Sequence, residues 1–320
     1  MPSSAWTRSR RDVESTARTI VVVGATGLQG RAVTQHLLSS GWQVRALTRD
    51  PNGASARALA SVGAHIVRAQ MEDVASLISA AQGAYGMFSV QPTVGSPGTA
   101  PGFSADDEVR WGINVAEAAY AVGVEHFVFT SVAGADRHES ETLPGNLISK
   151  WRIEQHIAGL GLPATILRPV SFMENFTSGY ALQGGALTTA LAPQIPQQIM
   201  AVDDVGFVTA LAFSRPEEWI GSSVALAADE LTPVQIAAAI ERALGHPLPY
   251  AQIPIDAIRA LGEDFAFAYE WLNKLGYRAD IPATRRIHPG AMDLRTWLER
   301  TGAAQIAAFL ATRRTAEQQA

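Results

Sequence analysis

The sequence predicts an α/β fold in which a doubly wound parallel sheet carries a smaller, discontinuous C-terminal cap lobe. Strand-like and helix-like segments alternate from residue 19 to about residue 168. A glycine-rich turn separates the first strand from the first helix, and the alternation fades after Ser171, where glycine and proline become frequent. Alternating strands and helices are typical of parallel sheets, whose ligands bind at the carboxyl ends of the strands.

The predicted strands are short apolar runs rich in β-branched and aromatic residues, and the predicted helices repeat apolar residues at steps of three and four. The strands are predicted at residues 20–23, 42–48, 65–69, 84–90, 126–131 and 164–167. Helical patterns also cover residues 233–244 and 255–275. Loops at residues 91–102 and 133–145 follow the fourth and fifth strands, at the edge where we expect them to shape a substrate pocket.

The turn after the first strand has the sequence Gly-Ala-Thr-Gly-Leu-Gln-Gly, residues 24–30. Gly24 allows the sharp turn, Gly27 the close approach of a phosphate, and Gly30 the close packing of helix on strand. Free backbone N–H groups at a helix N-terminus bind pyrophosphate. The segment therefore predicts a Rossmann-type dinucleotide site; the alternative is a structural turn without a ligand.

The end of the second strand, Leu47-Thr48-Arg49-Asp50, bears on the choice of dinucleotide. Proteins that use NAD usually place an acidic residue there to bind the ribose 2′-hydroxyl. Arg49 can instead grip a 2′-phosphate, Thr48 can add a hydroxyl, and Asp50 comes one position late and is expected to cap the next segment. The sequence thus favours NADP(H) over NAD, unless Arg49 is simply a solvated residue after the strand.

Charge and composition exclude several classes of function. The formal net charge is −5 and the pI about 5.8, which gives no electrostatic case for direct nucleic-acid binding. No apolar run approaches the roughly 20 residues that span a bilayer. Cysteine is absent, so disulfides, thiolate metal sites and a cysteine nucleophile are excluded. We expect a cytoplasmic protein with no metal site and no membrane contact.

Several motifs together resemble the NmrA-like family, an atypical branch of the short-chain dehydrogenase/reductase superfamily. The most specific are Val-Val-Gly-Ala-Thr-Gly-Leu-Gln-Gly at residues 22–30 and Arg-Ala-Leu-Thr-Arg-Asp-Pro at residues 45–51. The likeness continues through residues 124–131, 167–176, 202–206, 230–233 and 288–290. It covers nearly everything from residue 19 to about residue 301.

The resemblance implies a Rossmann domain that binds NADP(H) and a cap lobe that closes over the nicotinamide. Residues 1–18 are expected to form a disordered tail, with a transit peptide as the alternative. We expect the NADP-binding domain at residues 19–170. Residues 171–302 are expected to form mainly the cap lobe, with part of the Rossmann sheet, and residues 303–320 a C-terminal helix or tail.

The catalytic motif of the superfamily departs from its pattern here. Short-chain dehydrogenases place a proton-donating Tyr four residues before a Lys; Lys150 falls at the expected place, but Asn146 stands where the Tyr would be. Lys150 is expected to hold the nicotinamide ribose, or else to be a surface lysine beside Glu154. Ser131 is a candidate donor to a substrate carbonyl and His138 a candidate proton donor, although either residue can serve its loop alone.

The resemblance also predicts the contacts of the cofactor. Gln70 stands where many relatives bind the adenine amino group with Asp, and its amide oxygen can accept the same hydrogen bond. The predicted cofactor residues are Gly24, Thr26, Gly27, Leu28, Gln29, Gly30, Arg49, Gln70, Ser89, Val90, Gln91, Thr130, Lys150, Pro169 and Phe172.

An aromatic helical stretch is the remaining candidate for the substrate site. Helical spacing predicts that Phe265 and Tyr269 are core residues, whereas Phe267 and Trp271 lie on another face. These two can roof an aromatic substrate, or else pack in the core or at an interface. The function expected is an NADPH-dependent reductase of a quinone-like, enone or aromatic small molecule. The alternative is a non-enzymatic NADP(H) redox sensor that regulates a protein partner. The sequence predicts no oligomeric state.

Overall fold

The computed structural model describes residues 18–94, 99–100, 102–179 and 181–319. The predicted tail at residues 1–18 lies outside this range except for Arg18, as do residues 95–98 and 101 of the first long loop. Across the described part of the chain, no helix combines the length and apolar character that a membrane span requires. The cytoplasmic location stays a prediction.

The described strands form a large central sheet and two small ones. They are β1 (Thr19–Val22), β2 (Gln43–Thr48), β3 (His65–Arg68), β4 (Gly86–Ser89), β5 (His126–Thr130), β6 (Ala164–Pro169), β7 (Ser171–Phe172), β8 (Leu182–Gln183), β9 (Ala186–Thr189), β10 (Gln197–Met200), β11 (Ser223–Leu226), β12 (Asp229–Leu231) and β13 (Tyr250–Gln252). The central sheet is parallel, in the order β11-β6-β5-β4-β1-β2-β3. The six predicted strands and the doubly wound fold are confirmed.

The helices cover both faces of that sheet and build the C-terminal part. They are α1 (Leu28–Ser39), α2 (Ala54–Ser61), α3 (Val74–Ala81), α4 (Ala105–Val122), α5 (Gly145–Leu160), α6 (Val202–Ser214), α7 (Pro216–Trp219), α8 (Pro233–Leu244), α9 (Ile255–Arg259), α10 (Glu263–Lys274), α11 (Ile281–Ile287), α12 (Leu294–Trp297) and α13 (Ala303–Gln319). Short 3₁₀ turns lie at Ala135–Arg137 and Met173–Thr177.

The central sheet is buried on both faces, which explains the unbroken apolar run of β1. Ile20 and Val22 pack in one core together with Phe213 of α6. Val21 and Val23 point to the opposite core, between the sheet and helices α3 to α5. The strand order reverses between β4 and β1, the topological switch point at which ligands of such sheets bind.

The C-terminal part has a core of its own, in which Met173, Ile199, Ile236 and Trp297 are buried together. The two small sheets, β12-β10-β7 and β13-β9-β8, belong to the same half of the chain. β11 instead joins the central sheet beside β6. On this basis we propose the division into a nucleotide-binding part at residues 19–170 and a cap at residues 171–302 that also supplies a strand to the central sheet.

The predicted helix over residues 255–275 is wrong as a single element. The chain forms α9, turns, and starts again as α10, with Gly262 at a φ of 155° immediately before the second helix. Glycine adopts that backbone conformation at little cost, so the break sits where the sequence allows it. Because of the break, the direction in which α10 presents its aromatic side chains does not follow from the pattern of α9.

Helix α1, which follows the glycine-rich turn, is packed closely by α6 from the second half of the chain. A Cβ atom on Gly206 of α6 would lie 2.7 Å from the carbonyl carbon of Ala32 and 2.7 Å from Cδ2 of His36. The backbones of the two helices therefore approach each other at a position where only glycine fits. His36 also pairs with Asp203 at 2.9 Å across the same contact.

We expect Gly206→Ala to lower the free energy of unfolding by about 1–3 kcal/mol, because the added methyl group overpacks the α1–α6 contact. Urea denaturation measures the effect. The matched control is Gly159→Ala in α5, where an added Cβ meets nothing within 4 Å. The control should be neutral or stabilising by up to about 1 kcal/mol. Equal stability of the two variants would contradict the packing argument.

Candidate functional site

The turn between β1 and α1 is built by backbone approaching backbone. Gly24 has a φ of +72°, and a Cβ on it would lie 2.9 Å from Cγ1 of Val90. A Cβ on Gly30 would lie 2.2 Å from the carbonyl oxygen of Gly24, a distance no side chain tolerates. These glycines hold the start of α1 directly over the end of the strand.

The N-terminus of α1 is left open to an anion. Its N-cap is Gly27, which offers no side-chain cap, and its first turn contains no acidic residue. The unsatisfied N–H groups and the positive end of the helix dipole therefore face outward from the turn. This is the arrangement that binds phosphate groups at helix N-termini.

A cavity of about 470 Å³ runs from this turn along the strand ends, and we refer to it as the turn cavity. Its lining contains most of the predicted cofactor residues: Gly24, Thr26, Gly27, Leu28, Gln29, Gly30, Arg49, Gln70, Val90, Gln91 and Phe172. The other predicted contacts, Ser89, Thr130, Lys150 and Pro169, are buried and do not line this cavity. Ser89 touches the lining indirectly, because its hydroxyl accepts a hydrogen bond from the Gln91 amide at 2.8 Å.

Polar atoms without partners also face this region. Among the described residues, Oε1 of Gln29, Oε1 of Gln91 and Nε1 of Trp111 are buried and make no hydrogen bond. All three residues line the turn cavity. Buried polar groups are normally satisfied, so these atoms fit a site made for a polar ligand. Trp111 was missed by sequence reasoning, because an indole in an amphipathic helix gives no signal of its own.

The end of β2 separates the roles of Arg49 and Asp50. Arg49 is exposed and lines the turn cavity. Asp50 turns away into the following loop, where its carboxylate accepts the N–H of Asn52 at 3.1 Å and its own N–H donates to the Thr48 hydroxyl at 3.2 Å. The charged side chain that this strand end offers to the cavity is therefore the guanidinium.

Lys150 belongs to a buried ion pair with α4. Its Nζ lies 2.7 Å from Oε1 of Glu108, a carboxylate with no exposed surface. Glu108 also accepts hydrogen bonds from the hydroxyls of Ser149 at 2.7 Å and Thr93 at 3.0 Å. The alternative of a surface lysine paired with Glu154 is therefore wrong. Among the described residues, Lys150 lies outside the linings of the cavities that border the strand ends.

The hydroxyl of Ser131 is committed to a second buried network. It donates to the carboxylate of Glu154, which in turn binds Arg168 at 2.6 and 3.1 Å. Arg168 continues to Asp136 at 2.7 Å. His138, on the loop after β5, is exposed and stacks on Trp151 with ring centroids 4.3 Å apart. In the described part of the chain, neither candidate lines a cavity at the strand ends.

A larger cavity of about 750 Å³, the aromatic cavity, adjoins the first. Thr93, Phe172 and Asn175 line both cavities and form their common wall. Asn146 also lines the aromatic cavity, with its Oδ1 buried and without a hydrogen-bond partner among the described residues. The position usually held by Tyr therefore faces the space in which a small molecule would sit.

Two aromatic residues of α10 line the aromatic cavity, and a third is buried. Phe265 and Tyr269, expected in the core, line the aromatic cavity. Trp271, for which core packing was one of the expected alternatives, is buried against Leu143 of the loop before α5 and Leu147 of α5. The break before α10 sets a face that an uninterrupted helix from residue 255 would not have.

Glu174 is a further residue of the turn cavity that sequence reasoning missed. Its carboxylate accepts the N–H of Val202, at the start of α6, at 3.0 Å and the indole N–H of Trp297 at 3.2 Å. Burial raises the pKa of Glu174 to about 7. Its position in the segment 167–176 was the available signal, since the family resemblance includes that segment.

Comparison with known proteins gives one family. The family model of the NmrA-like family matches residues 16–311. A reductase of (4-alkanoyl-5-oxo-2,5-dihydrofuran-3-yl)methyl phosphate from Streptomyces griseus is 30% identical over 244 residues, which are 75% of this chain and 79% of that protein. An NmrA-like family domain-containing protein of Dictyostelium discoideum is 24% identical over 81% of this chain and 89% of its own length.

Solved structures share the fold. NmrA, a negative transcriptional regulator, in complex with NADP superposes with a TM-score of 0.71, 23% identity, and coverage of 91% of this chain and 97% of that chain. The same regulator is also known with NAD. Triphenylmethane reductase from Citrobacter sp. gives 0.72 at 19% identity, covering 88% and 99%. An NADPH-dependent quinone oxidoreductase from Escherichia coli gives 0.70 at 24% identity, covering 88% and 98%.

The raised pKa of Glu174 predicts how the free energy of unfolding changes with pH. Because the folded protein holds this proton more tightly than the unfolded chain, the contribution is present below about pH 4.5 and is lost as the pH rises towards 7. Relative to Glu174→Gln, the wild type should lose up to about 3 kcal/mol of unfolding free energy between pH 4.5 and pH 7.5. Urea denaturation at several pH values measures it, with exposed Glu299→Gln as control; parallel curves for Glu174→Gln and the wild type would contradict it.

Proposed function

Because the chain belongs to the NmrA-like family, we propose that it binds NADP(H) and uses it to reduce an aromatic or quinone-like small molecule. The observation that carries the proposal is the common wall of Thr93, Phe172 and Asn175 between the turn cavity and the aromatic cavity. A dinucleotide bound along the turn cavity would reach these three residues, and a substrate in the aromatic cavity would reach them too, so the two ligands can come into contact where the cavities adjoin. Relatives that include a quinone oxidoreductase and a triphenylmethane reductase support this reading.

The residues of the turn cavity fit a dinucleotide with a 2′-phosphate. The open N-terminus of α1 supplies N–H groups for the pyrophosphate, and Gly27 leaves room for it. Arg49 supplies a guanidinium at the end of β2, where bidentate binding of a phosphate is favoured over binding of a hydroxyl. Asp50, the residue that could accept a 2′-hydroxyl instead, is engaged in its own loop.

The proposed chemistry requires few proton donors or acceptors from the protein. When bound, the reduced nicotinamide supplies a hydride. Phe172 and Asn175 line both cavities and are placed to orient the two ligands where the cavities meet. Lys150, fixed by Glu108, lies outside the lining of the turn cavity, so its proposed role is to fix α5 to α4 beside the site rather than to hold the cofactor ribose. Conjugated acceptors spread the developing charge, so they can react where Asn146 replaces the usual proton donor.

A second candidate function is that of a redox sensor that binds NADP(H) without turnover and regulates a protein partner. The observation that favours it is Asn146 at the Tyr position, together with the structural likeness to a transcriptional regulator. The aromatic cavity favours the reductase, because a cavity of about 750 Å³ beside the cofactor site has no use in a sensor that binds the cofactor alone.

Arg49→Ala should weaken NADPH binding by about 2 kcal/mol, or roughly 30-fold, while changing NADH binding little, because only NADPH carries the 2′-phosphate. Isothermal titration calorimetry with both dinucleotides measures the effect. Arg57→Ala is the matched control, since Arg57 lies in the next helix, α2, and is absent from the described lining of the turn cavity. Equal losses for the two dinucleotides would refute the assignment.

Purified protein should oxidise NADPH in the presence of quinones or conjugated enones at rates well above the protein-free background. Absorbance at 340 nm follows the reaction, and Phe172→Ala should reduce it because the residue lies at the common wall. If NADPH binds in the calorimeter but no acceptor is reduced, the sensor is the correct function and the reductase is excluded.

A further inference from the structure

We propose that Tyr277 is the proton donor of the reductase. It lies in the loop between α10 and α11, residues 275–280, which we call the Tyr277 loop. The inference rests on the proposed reductase function and adds a catalytic residue to it. Three sets of observations carry it: the hydroxyl groups that line the aromatic cavity, the contacts that hold the Tyr277 loop, and the charges beside that loop.

A reaction that leaves charge on a substrate oxygen needs a proton donor in the aromatic cavity. In the part of the lining that the structure describes, the charged residues are Glu263 and Asp264, and Lys, Arg and His do not occur. Both acids are exposed, and exposed carboxylates are ionised at neutral pH, so they neither stabilise an oxyanion nor protonate it. Asn146, at the usual Tyr position, carries an amide, which is not an acid. A hydroxyl group of the described lining is therefore the remaining donor.

Most hydroxyl groups of the described lining are already engaged. Those of Ser104 and Thr93 donate to carboxylates at 2.8 and 3.0 Å, and that of Thr189 contacts another hydroxyl, on β13, at 3.0 Å. Phenols are also better acids than aliphatic hydroxyls, and Tyr is among the side chains that act as general acids. The phenols of the described lining are Tyr269 and Tyr277.

A contact with β7 favours Tyr277. Its hydroxyl lies 3.3 Å from the hydroxyl of Ser171, the residue immediately before Phe172. Ser171 lines the aromatic cavity, and Phe172 lines both that cavity and the turn cavity. The phenol oxygen is therefore held beside the strand whose second residue borders both cavities. The Ser171 hydroxyl can also donate to this oxygen once the phenol has lost its proton.

The backbone of the Tyr277 loop has positive φ values on both sides of the tyrosine. Gly276 has a φ of 63° and Arg278 a φ of 61°. Glycine adopts such values freely, whereas a residue with a side chain does so at a cost. Among the described residues, Arg278 is the non-glycine residue with a positive φ. Strain next to one side chain is typical of a functional position, because it persists only where the surrounding structure holds it.

Two side chains hold the loop in this conformation. Nη2 of Arg137, in the turn after β5, donates to the carbonyl of Gly276 at 2.5 Å. On the other side of Tyr277, buried Gln198 of β10 accepts the N–H of Ala279 at 2.8 Å and donates to its carbonyl at 2.9 Å. The loop is thus fixed to both halves of the chain, which keeps the phenol in place relative to both ligands.

The charge beside the loop suits a phenol that gives up its proton. Nη1 of Arg137 and Nη1 of Arg278 approach the same carboxylate oxygen, Oε1 of Glu141, at 3.4 and 3.5 Å. Two guanidinium groups therefore share one carboxylate, which leaves net positive charge next to the loop. Positive charge favours the anionic form of a phenol.

Tyr277 also lines a smaller cavity of about 260 Å³, which shares four lining residues with the aromatic cavity. The described lining of this smaller cavity contains the exposed residues Lys274, Arg278 and Glu230, so basic side chains outnumber acidic ones there. A phenol that borders both cavities can give its proton to a substrate in one and regain a proton from water in the other.

The step balances for a neutral conjugated enone. The C–H bond at C4 of the reduced nicotinamide breaks and a C–H bond forms at the β-carbon of the enone, while the conjugated π electrons shift and negative charge develops on the carbonyl oxygen. The O–H bond of Tyr277 breaks and its proton goes to that oxygen, which gives an enol and then the saturated ketone. The phenolate takes a proton from water. The cofactor is oxidised and the enone reduced, and a quinone takes up the same hydride and proton.

Tyr277→Phe removes the proton and keeps the ring. With the full-length protein, NADPH and either benzylideneacetone or 1,4-naphthoquinone, kcat should fall about 100-fold or more while KM changes less than about threefold. Calorimetric binding of NADPH and the midpoint of urea denaturation should stay at their wild-type values. The matched control is Tyr120→Phe, because Tyr120 of α4 is exposed and absent from the described linings of the three cavities. The control should keep the wild-type kcat.

A second readout needs no turnover. With NADP⁺ in place of NADPH, the infrared carbonyl stretch of bound benzylideneacetone should move to lower frequency in the wild type, because a hydroxyl donates to its oxygen. The shift should be lost in Tyr277→Phe and kept in Tyr120→Phe. This band reports the hydrogen bond to the reacting oxygen directly, so it separates a proton donor from a residue that only supports the fold.

The outcomes distinguish this inference from the function on which it rests. A wild-type kcat in Tyr277→Phe, or a carbonyl band that Tyr277→Phe leaves in place, overturns the assignment and leaves the reductase intact. Binding of NADPH without reduction of either acceptor by the wild type overturns the reductase and, with it, this inference.

Discussion

The contact between Gly30 and the carbonyl of Gly24 is the constraint on which the site depends. Because α1 can sit directly over the end of β1, its free N–H groups meet the strand ends at the switch point of the sheet. Any side chain at Gly30 would push α1 away from the end of β1, and the turn cavity would lose its shape. The turn cavity exists because this position is bare backbone, and the charges of Arg49 and the helix dipole act only because the geometry is already in place.

A buried ion pair neutralises charge close to the carboxyl ends of the strands. Buried Glu108 collects three donors from α5 and from the loop after β4, and so fixes Lys150 beneath the site without leaving net charge there. A pair desolvated this completely adds little net stability compared with apolar packing, but removing one partner alone is costly. The pair of Lys150 and Glu108 therefore fixes the position of α5 relative to α4, and the first turns of both helices border the aromatic cavity.

Local patterns predicted most of the fold and much of the turn cavity, because glycine spacing and apolar alternation are read from neighbouring residues. What escaped prediction were contacts between distant segments. Lys150 finds Glu108 on another helix, and Glu174 finds Val202 and Trp297, and no spacing in the sequence encodes those meetings. The face of α10 was assigned wrongly for a different reason: a helical period was carried across Gly262, where the chain changes direction.

The close seating of α6 on α1 has a consequence for movement. α6 begins at Val202, whose N–H donates to Glu174, and packs its Gly206 onto the backbone of α1. One helix therefore connects the C-terminal part to α1, the helix proposed to bind phosphate. A hinge that swung the lobes apart would have to break that backbone contact. Entry and exit of ligands must therefore be carried by loops and side chains at the rim, while the frame around them keeps its shape.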